Sequence, residues 1–358
     1  MNIFIDCHVF DGNLQGTTSY LKGLYSELIK DKTKTFYFAS FSAKHLEKVF
    51  GIHENVVYLS FSSKNKIYRL LIDIPQLIYK NKIDFAHFQY VVPPIKLCKY
   101  IVTIHDVLFL DYPQYFPWIY KTSKNILFRA SSKYSDFVIT VSNYSKDRIE
   151  HHFKIKNVIV TPNAVDEEYF KYYDKNELKK QAKDKFGIEN YFLFVSRFEP
   201  RKNHLALLKV FVENLFYKDY MLVFVGNKAI EDKSYNNYFN QLPAIVKNKI
   251  ITFNNVNFKN LLIFVRAANL SIYPSIAEGF GIPPLESVAA NVPTICSKST
   301  AMSDFGFLEE YLFDPLDKQD LLLKINKCIK SNNHFLFDKL KNKYNWQFSA
   351  SKIIEILK

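Results

Sequence analysis

The feature that most constrains this chain's fold is a rhythm that runs twice. Short runs of apolar residues alternate with longer amphipathic stretches. Runs that are apolar throughout, and not only at every second position, suit strands buried on both faces. Such strands lie in parallel sheets and are joined by helices. The first series reads as strands at 3–5, 35–39, 56–60, 85–88, 101–104, 137–141 and 158–161, with helical patterns at 18–30 and 67–80. A charged stretch, 166–185, breaks it and reads as a linker with one exposed helix. The second series has strands at 191–195, 220–225, 250–253, 270–273 and 294–296, and helices at 205–216, 261–268 and 321–330. A last amphipathic pattern covers 346–357. At 358 residues the chain exceeds what one core usually holds. The expected class is therefore α/β: two doubly wound, Rossmann-like domains facing each other across a cleft. The expected bounds are 1–165 for the first domain, 166–187 for the linker and 188–335 for the second domain. A helical segment, 336–358, is expected to pack back toward the first.

In such sheets ligands bind at the carboxyl ends of strands. Five of the nine glycines, Gly12, Gly16, Gly226, Gly279 and Gly281, fall just after expected strands, in a chain poor in glycine. The stretch 274–287, P-S-I-A-E-G-F-G-I-P-P-L-E-S, reads as a glycine loop between a strand and a helix N-terminus. Pro284 suits a first helical turn, where its missing N–H costs nothing. Free N–H groups and the helix dipole there attract an anion such as phosphate. Glu278 lies before the loop, and Glu286 is read as lying in the first turn, at opposite ends of a site for an elongated ligand. The dipole alone also favours acidic residues at helix starts, so this segment by itself fits either a site or an ordinary turn.

A second constellation, S-R-F-E-P-R-K-N-H at 196–204, follows the first strand of the second series. Arg197, Arg201 and Lys202 cluster there. Arg grips phosphate with a two-pronged fork and Lys as a point charge. Glu199 is placed to pair with one of them, and Asn203 to cap the next helix. Read alone, the loop also fits a solvated basic surface.

The net charge of +13 and pI near 9.2 point to a polyanionic partner without choosing among nucleic acid, an acidic membrane face and a phosphorylated substrate. A nucleic-acid-binding protein would carry a module such as an RRM or helix-turn-helix, which the sequence lacks. A dinucleotide dehydrogenase would carry G-x-G-x-x-G after its first strand, and G-N-L-Q-G-T does not match. The four cysteines, Cys7, Cys98, Cys296 and Cys328, are scattered. They suggest neither zinc nor a disulfide framework, and they fit a reducing compartment. The N-terminus reads as a strand and not a signal peptide, and no apolar run of about 20 residues is present.

The order of these motifs is specific. Arg-x-x-x-x-Lys after a strand, a second strand ending V-G, then R-A-A-N-L-S-I-Y-P-S-I-A-E-G-F-G-I-P-P-L-E-S resembles the C-terminal domain of the retaining glycosyltransferases of family 4, which have the GT-B fold. F-D-P-L-D at 313–317 and Trp346 are similar too. So are I-V-T-I-H-D-V (101–107), T-V-S-N-Y-S (140–145) and V-T-P-N-A-V-D (160–166) in the first half. The resemblance is strongest over 191–317 and weakest over 20–95, where acceptor binding varies. R-F-E-P-R-K-N with E-G-F-G-I-P-P-L-E looks most like the bacterial mannosyltransferase-like subgroup.

The resemblance implies a donor that is a nucleotide-diphosphate sugar, with Arg197 and Lys202 neutralising its diphosphate and Arg201 and Gly226 beside it. It implies Glu286 on the ribose hydroxyls, Glu278 facing the sugar, and the N–H groups of Phe280, Gly281 and Ile282 on sugar hydroxyls and phosphate. From the first domain, Gly16, Thr17 and their loop would close over the diphosphate, and His105 would contact the transferred sugar. His105 beside Asp106 also fits a structural loop pair, and Ser142 and Ser145 fit a helix cap. Lys121, Lys124, Arg129 and Lys133, interleaved with Trp118, Tyr120 and Phe128, fit either peripheral contact with an anionic membrane or a solvated helix face.

No Asp-x-Asp motif is present. The expectation is a metal-free, retaining transfer with no cofactor, moving a hexose, mannose from GDP-mannose, onto a glycan or lipid-linked glycan of a surface polysaccharide. A UDP-sugar on the same scaffold is the rival. The expected place is the cytoplasm, at the inner face of the membrane. Three departures stand out. Near Thr18 and Ser19, G-N-L-Q-G-T-T-S-Y has neither the glycine nor the Arg that relatives often carry there, Asn291 stands where Gly is usual, and Asp304 where Glu is frequent.

Overall fold

The computed structural model describes residues 1–12, 16–330 and 336–358. They form two compact units: Met1–Ala164 together with Asn345–Lys358, and Val165–Tyr344.

Among the described residues the first unit holds a seven-stranded sheet. Its strands are β1 (Asn2–Asp6), β2 (Thr35–Ser40), β3 (Val56–Ser60), β4 (Phe85–Gln89), β5 (Lys99–Thr103), β6 (Phe137–Thr140) and β7 (Ile159–Val160). Their order is β3-β2-β1-β4-β5-β6-β7, and every pair is parallel. The second unit holds β8 (Tyr191–Val195), β9 (Met221–Val225), β10 (Ile250–Phe253), β11 (Leu270–Tyr273), β12 (Thr294–Ser297) and β13 (Leu312–Phe313). Their order is β10-β9-β8-β11-β12-β13, again all parallel. Apolar runs such as Y-F-L-F-V in β8 and M-L-V-F-V in β9 are buried almost throughout, as parallel strands with helices on both faces require.

Each sheet has a point where the winding reverses, between β1 and β4 in the first and between β8 and β11 in the second. Loops leaving two neighbouring strands there diverge to opposite faces and open a crevice at the strands' carboxyl ends. In the second unit those two loops are 196–203 and 274–281.

Some expectations need correcting. The charged stretch 166–187 is not a separate linker. Its helix, Lys175–Phe186, packs on the helix Phe258–Ala267. Tyr173 donates to the Ala290 carbonyl, and Arg266 to that of Glu168. High surface charge hid a helix anchored by a few apolar and aromatic groups. The segment 336–358 is divided: the helix Leu336–Lys343 packs on the helix Ile282–Ala289 in the second unit, while the helix Trp346–Ile356 packs on Gly16–Leu28 in the first. The two-residue strand β13 ends on Phe313, the first residue of F-D-P-L-D, and is too short for periodicity to reveal. Cys7 and Cys296 are buried as free thiols, and Cys328 is buried too.

Candidate functional site

Strand β8 ends in the loop carrying Arg197, Glu199, Arg201 and Lys202, and β11 ends in the loop carrying Ser275, Ala277 and Glu278. The two are tied directly: the Ile276 N–H donates to the Arg201 carbonyl (2.8 Å), and Arg201 Nη1 to the Ala277 carbonyl (2.7 Å). A chain of alternating charge runs across them. Arg197 lies 2.9 Å from Glu199, whose other oxygen accepts from Arg201 Nε at 2.7 Å. Arg201 lies 3.6 Å from Glu278, and Lys202 Nζ donates to Glu278 Oε1 at 2.5 Å. Ser275 Oγ donates to the same oxygen (2.9 Å), and the Glu278 N–H donates to Thr300 Oγ1 (2.9 Å). Sequence alone does not single out Ser275 or Thr300. Ser275 sits in the quoted motif, but a serine's partner depends on tertiary contact.

Arg197 differs from the other two cations. Its side chain is 61% exposed, whereas Arg201 and Lys202 are nearly buried. Glu199 pairs with both arginines, not one. Arg201 spends its fork on protein groups and acts as a strut. Asn203 occupies the N-cap position of the following helix, but its side chain does not cap it. In left-handed geometry (φ 62°), its amide donates to the carbonyls of Pro274 (3.2 Å) and Pro315 (2.8 Å), pinning two loops.

The helix Ile282–Ala289 starts immediately after this cluster. Gly281 is its N-cap residue in left-handed geometry (φ 96°), no side chain caps it, and Pro283 and Pro284 follow Ile282 in its first turn. A Cβ at 281 would lie 2.9 Å from Met302 Cγ, so side-chain bulk and backbone geometry both select glycine. Uncapped N–H groups and a positive dipole end therefore adjoin Lys202 and Glu278. Glu286 is the fifth residue of this helix, one turn in, and not in its first turn as expected. It is half-buried beside Asp166 and the buried hydroxyl of Tyr169. Gly226 serves packing at the end of β9. A Cβ there would meet the Ser196 carbonyl oxygen at 2.1 Å. Asn291 adopts φ 52°, so it takes up the left-handed turn.

Electrostatics follow from burial. Desolvation pulls Lys202 below the usual lysine range, with Arg201 adding to it and Glu278 opposing. Burial would raise Glu278, but Lys202 and Arg201 outweigh it and hold the carboxyl below its usual range. Glu286 has no such cation: desolvation, then Asp166, pushes it up to about 7. Among the described residues, no cluster of three or more His, Cys, Asp or Glu side chains is arranged to hold a metal.

In the first unit His105 is buried at the end of β5. Its Nε2 donates to Gln89 Oε1 (2.8 Å), and its ring meets Tyr20 edge-on with centroids 5.1 Å apart. Burial pushes its pKa down to about 3, so the imidazole is neutral. Gly16 and Thr17 open the first helix, while 13–15 of their loop lie outside the described residues. Ser142 caps the helix Asn143–Phe153 by accepting from the Ser145 N–H (3.0 Å). The helix Trp118–Tyr134 buries Phe128 but exposes Trp118 (73%), Ile119 (75%) and Ile126 (63%). It borders an apolar groove of about 500 Å³ whose lining includes Ile67, Leu70, Leu71, Val91 and Leu127. Among the described residues, no helix is long and apolar enough to cross a membrane.

Two family models divide the chain into similar halves. A family model described as Glycosyltransferase Family 4 matches residues 14–169, and one described as Glycosyl transferases group 1 matches 175–345. The O-antigen chain mannosyltransferase RfbU of Salmonella typhimurium is 32% identical over 198 residues, covering 55% of this chain and 51% of the relative. The O-antigen chain mannosyltransferase B of Escherichia coli is 25% identical over 256 residues, covering 67% of this chain and 64% of the relative. The chain thus spans between half and two thirds of these relatives. Among solved structures, sucrose-phosphate synthase from Thermosynechococcus elongatus superposes with a TM-score of 0.76 at 15% identity, covering 99% of this chain and 98% of the other. HepE from Anabaena, in complex with UDP and glucose, gives 0.75 at 15% identity, covering 100% and 99%. At these identities the likeness is one of fold.

Proposed function

Because the chain belongs to the family 4 glycosyltransferases of GT-B fold, we propose that it transfers a hexose, mannose from GDP-mannose, onto a growing bacterial surface glycan. The observation that carries this reading is the Lys202–Glu278 pair beside the uncapped helix start at Gly281. O-antigen mannosyltransferases among the relatives support the sugar and the setting.

In this reading the helix N–H groups and Lys202 stabilise negative charge as the diphosphate leaves, with the exposed Arg197 closing on it. Those cations and the dipole take the part a divalent ion plays elsewhere. Glu286 accepts the ribose hydroxyls. Glu278 is not the nucleophile, because Lys202, Arg201 and Ser275 already hold its carboxylate. Transfer instead retains configuration on one face of the sugar. The bond from C1 to the phosphate oxygen breaks, with its electron pair going to the diphosphate. The acceptor oxygen bonds C1, and its proton passes to the leaving phosphate. The neutral His105 is assigned a hydroxyl of the transferred sugar. The exposed apolar and basic side chains of Trp118–Tyr134 favour peripheral contact with an anionic membrane, on the cytoplasmic side.

A UDP-sugar donor is the second reading, since the fold neighbour HepE is described with UDP and glucose. A screen of GDP-, UDP-, ADP- and TDP-sugars by nucleotide release decides between them. GDP release with GDP-mannose is expected. Release only from UDP-sugars would shift the donor, and binding of none would remove the transferase reading. Activity surviving EDTA is expected, and metal-dependent rescue would contradict the metal-free mechanism.

A further inference from the structure

A second cavity, of about 580 Å³, lies in the first unit where β1, β2 and β3 end. These strands are parallel, so their carboxyl ends share one edge of the sheet, the side on which such sheets bind ligands. The volume falls within the range of small-molecule sites, roughly 300–1,000 Å³. The loops that form the cavity are braced. After β3, the buried Asp73 accepts from Ser62 N (3.0 Å) and Ser62 Oγ (2.6 Å), fixing the loop that carries Ser63 and Lys64. Asp73 closes a π-helical stretch, Arg69–Asp73, whose first residue lines the cavity. Single π-turns inside helices occur often at functional sites. After β2, the Phe41 N–H donates to Asp11 Oδ2 (2.9 Å), holding that ring at the cavity wall.

The chemistry of the lining is mixed in a particular way. Phe41 is 40% exposed, with Lys64 Nζ 4.6 Å from its ring centroid. Around it stand Ser42, His45 and Ser63, which can exchange hydrogen bonds in either direction, and the donor-only Arg69. Beneath them Asp6 is fully buried. It lies 3.0 Å from His8 Nδ1, but its Oδ2 is 3.8 Å from Arg69 Nη2, too far for a hydrogen bond. Among the described residues, neither that oxygen nor Arg69 Nε has a hydrogen-bond partner. Unpaired buried groups are costly and rare. A pyranose has one apolar C–H face and a rim of hydroxyls, each of which donates and accepts. An exposed ring beside donors and acceptors of both kinds fits that shape. A simple anion would have to share the cavity with Asp11 and the Asp6 beneath it.

We propose that this cavity is a saccharide subsite, seating a neutral pyranose of the acceptor glycan with its C–H face on Phe41 and its hydroxyls toward His45, Ser63 and Arg69. That the sugar belongs to the acceptor rests on the transferase reading; that the ligand is a saccharide does not.

The test is ligand-observed saturation-transfer NMR on the full chain. The probes are methyl glycosides of mannose, glucose, galactose and N-acetylglucosamine and their α-linked disaccharides, with inorganic phosphate and GDP as competitors. At least one saccharide is expected to bind and to weaken tenfold or more in Phe41→Ala and in His45→Ala. Both positions are accessible to solvent, so folding should survive, and a thermal melt checks it. Binding should be unchanged in Glu286→Gln and not displaced by GDP. Absence of binding by every saccharide overturns the proposal, as do equal affinities in both cavity variants, displacement by GDP, or displacement by phosphate at similar concentration. Failure of the transferase reading is visible separately, as absence of nucleotide-sugar binding with saccharide binding intact.

Discussion

Glu286 carries the sharpest consequence at the scale of single residues. Its pKa lies near 7 in the folded chain against 4.5 for a free side chain, because burial and Asp166 disfavour its charge. A carboxyl raised on folding contributes stability that is complete below about 4.5 and is lost as pH rises through about 7. Glu286→Gln should therefore flatten a decline in stability between those values, read from urea midpoints at several pH values. A slope equally steep in the variant would reassign it. The same proton governs binding. Only the ionised carboxylate accepts from two ribose hydroxyls, so affinity for GDP-mannose should weaken below pH 7, by at most about tenfold per unit for one proton. Isothermal titration across pH checks this, and the Gln variant should be weaker and flat. Lys202 acts differently, since its charge is needed where negative charge develops. Lys202→Ala should cut turnover by roughly 10² or more. It also strands Glu278, so Glu278→Gln/Lys202→Ala is the control. If the double variant regains stability but not turnover, the lysine's role is chemical. Normal turnover in Lys202→Ala would remove it from the site.

At the scale of elements the two glycine turns behave differently. A methyl group added at Gly226 would face backbone, the Ser196 carbonyl oxygen at 2.1 Å, whereas one added at Gly281 would face the flexible Met302 at 2.9 Å. Gly226→Ala should lower stability more than Gly281→Ala, whose cost of about 1–2 kcal/mol comes mainly from its left-handed backbone. Gly281→Ala should instead impair donor binding more, because it distorts the helix start. Thermal melts and donor titrations of the two give the order, and a reversal would mean the turns have been assigned the wrong roles. These turns mark what the sequence made legible. Apolar runs announce the strands β1 to β12, although the outer strands β3 and β7 are only partly buried, and the motifs place Lys202 and Glu278 just after strand ends, which the sheet order then makes neighbours. Period and spacing are local signals. The residues that complete the cluster were hidden because they depend on tertiary contact. Thr300 reaches the Glu278 N–H from beyond β12, and Asn203 crosses to Pro315. Charge misled over 166–187, where a lysine-rich helix is held by its few buried groups. The sequence sets Glu286 one turn too early because the helix begins at Ile282, before the prolines that suggest its start.

At the scale of the whole molecule, the first unit is not contiguous in the chain, since Asn345–Lys358 returns to it after the second unit ends. Its anchor is Trp346. A Cβ at Gly23 would lie 1.9 Å from Trp346 Cε2, so the first helix gives up a side chain to admit the indole. Trp346 also meets Tyr20 edge-on at 6.1 Å, and Ser349 Oγ donates to the Pro162 carbonyl at 2.6 Å. Tyr20 in turn lies against His105 and hydrogen-bonds Thr161 at 2.7 Å. The terminal helix thus buttresses the ring that packs on the imidazole. Trp346 is half-buried, so Trp346→Ala, which empties the notch at Gly23, should cost no more than about 3 kcal/mol, the low end for truncating a core tryptophan. The loss should appear as earlier melting of the first unit by hydrogen exchange, while exchange in the second unit stays near wild type. Turnover should fall as Tyr20 loosens, but nucleotide affinity should hold, because the helix start at Gly281 and its cations belong to the other unit. Equal loss of nucleotide affinity and turnover would show that the terminal helix supports the donor side after all, and would undo this division of labour.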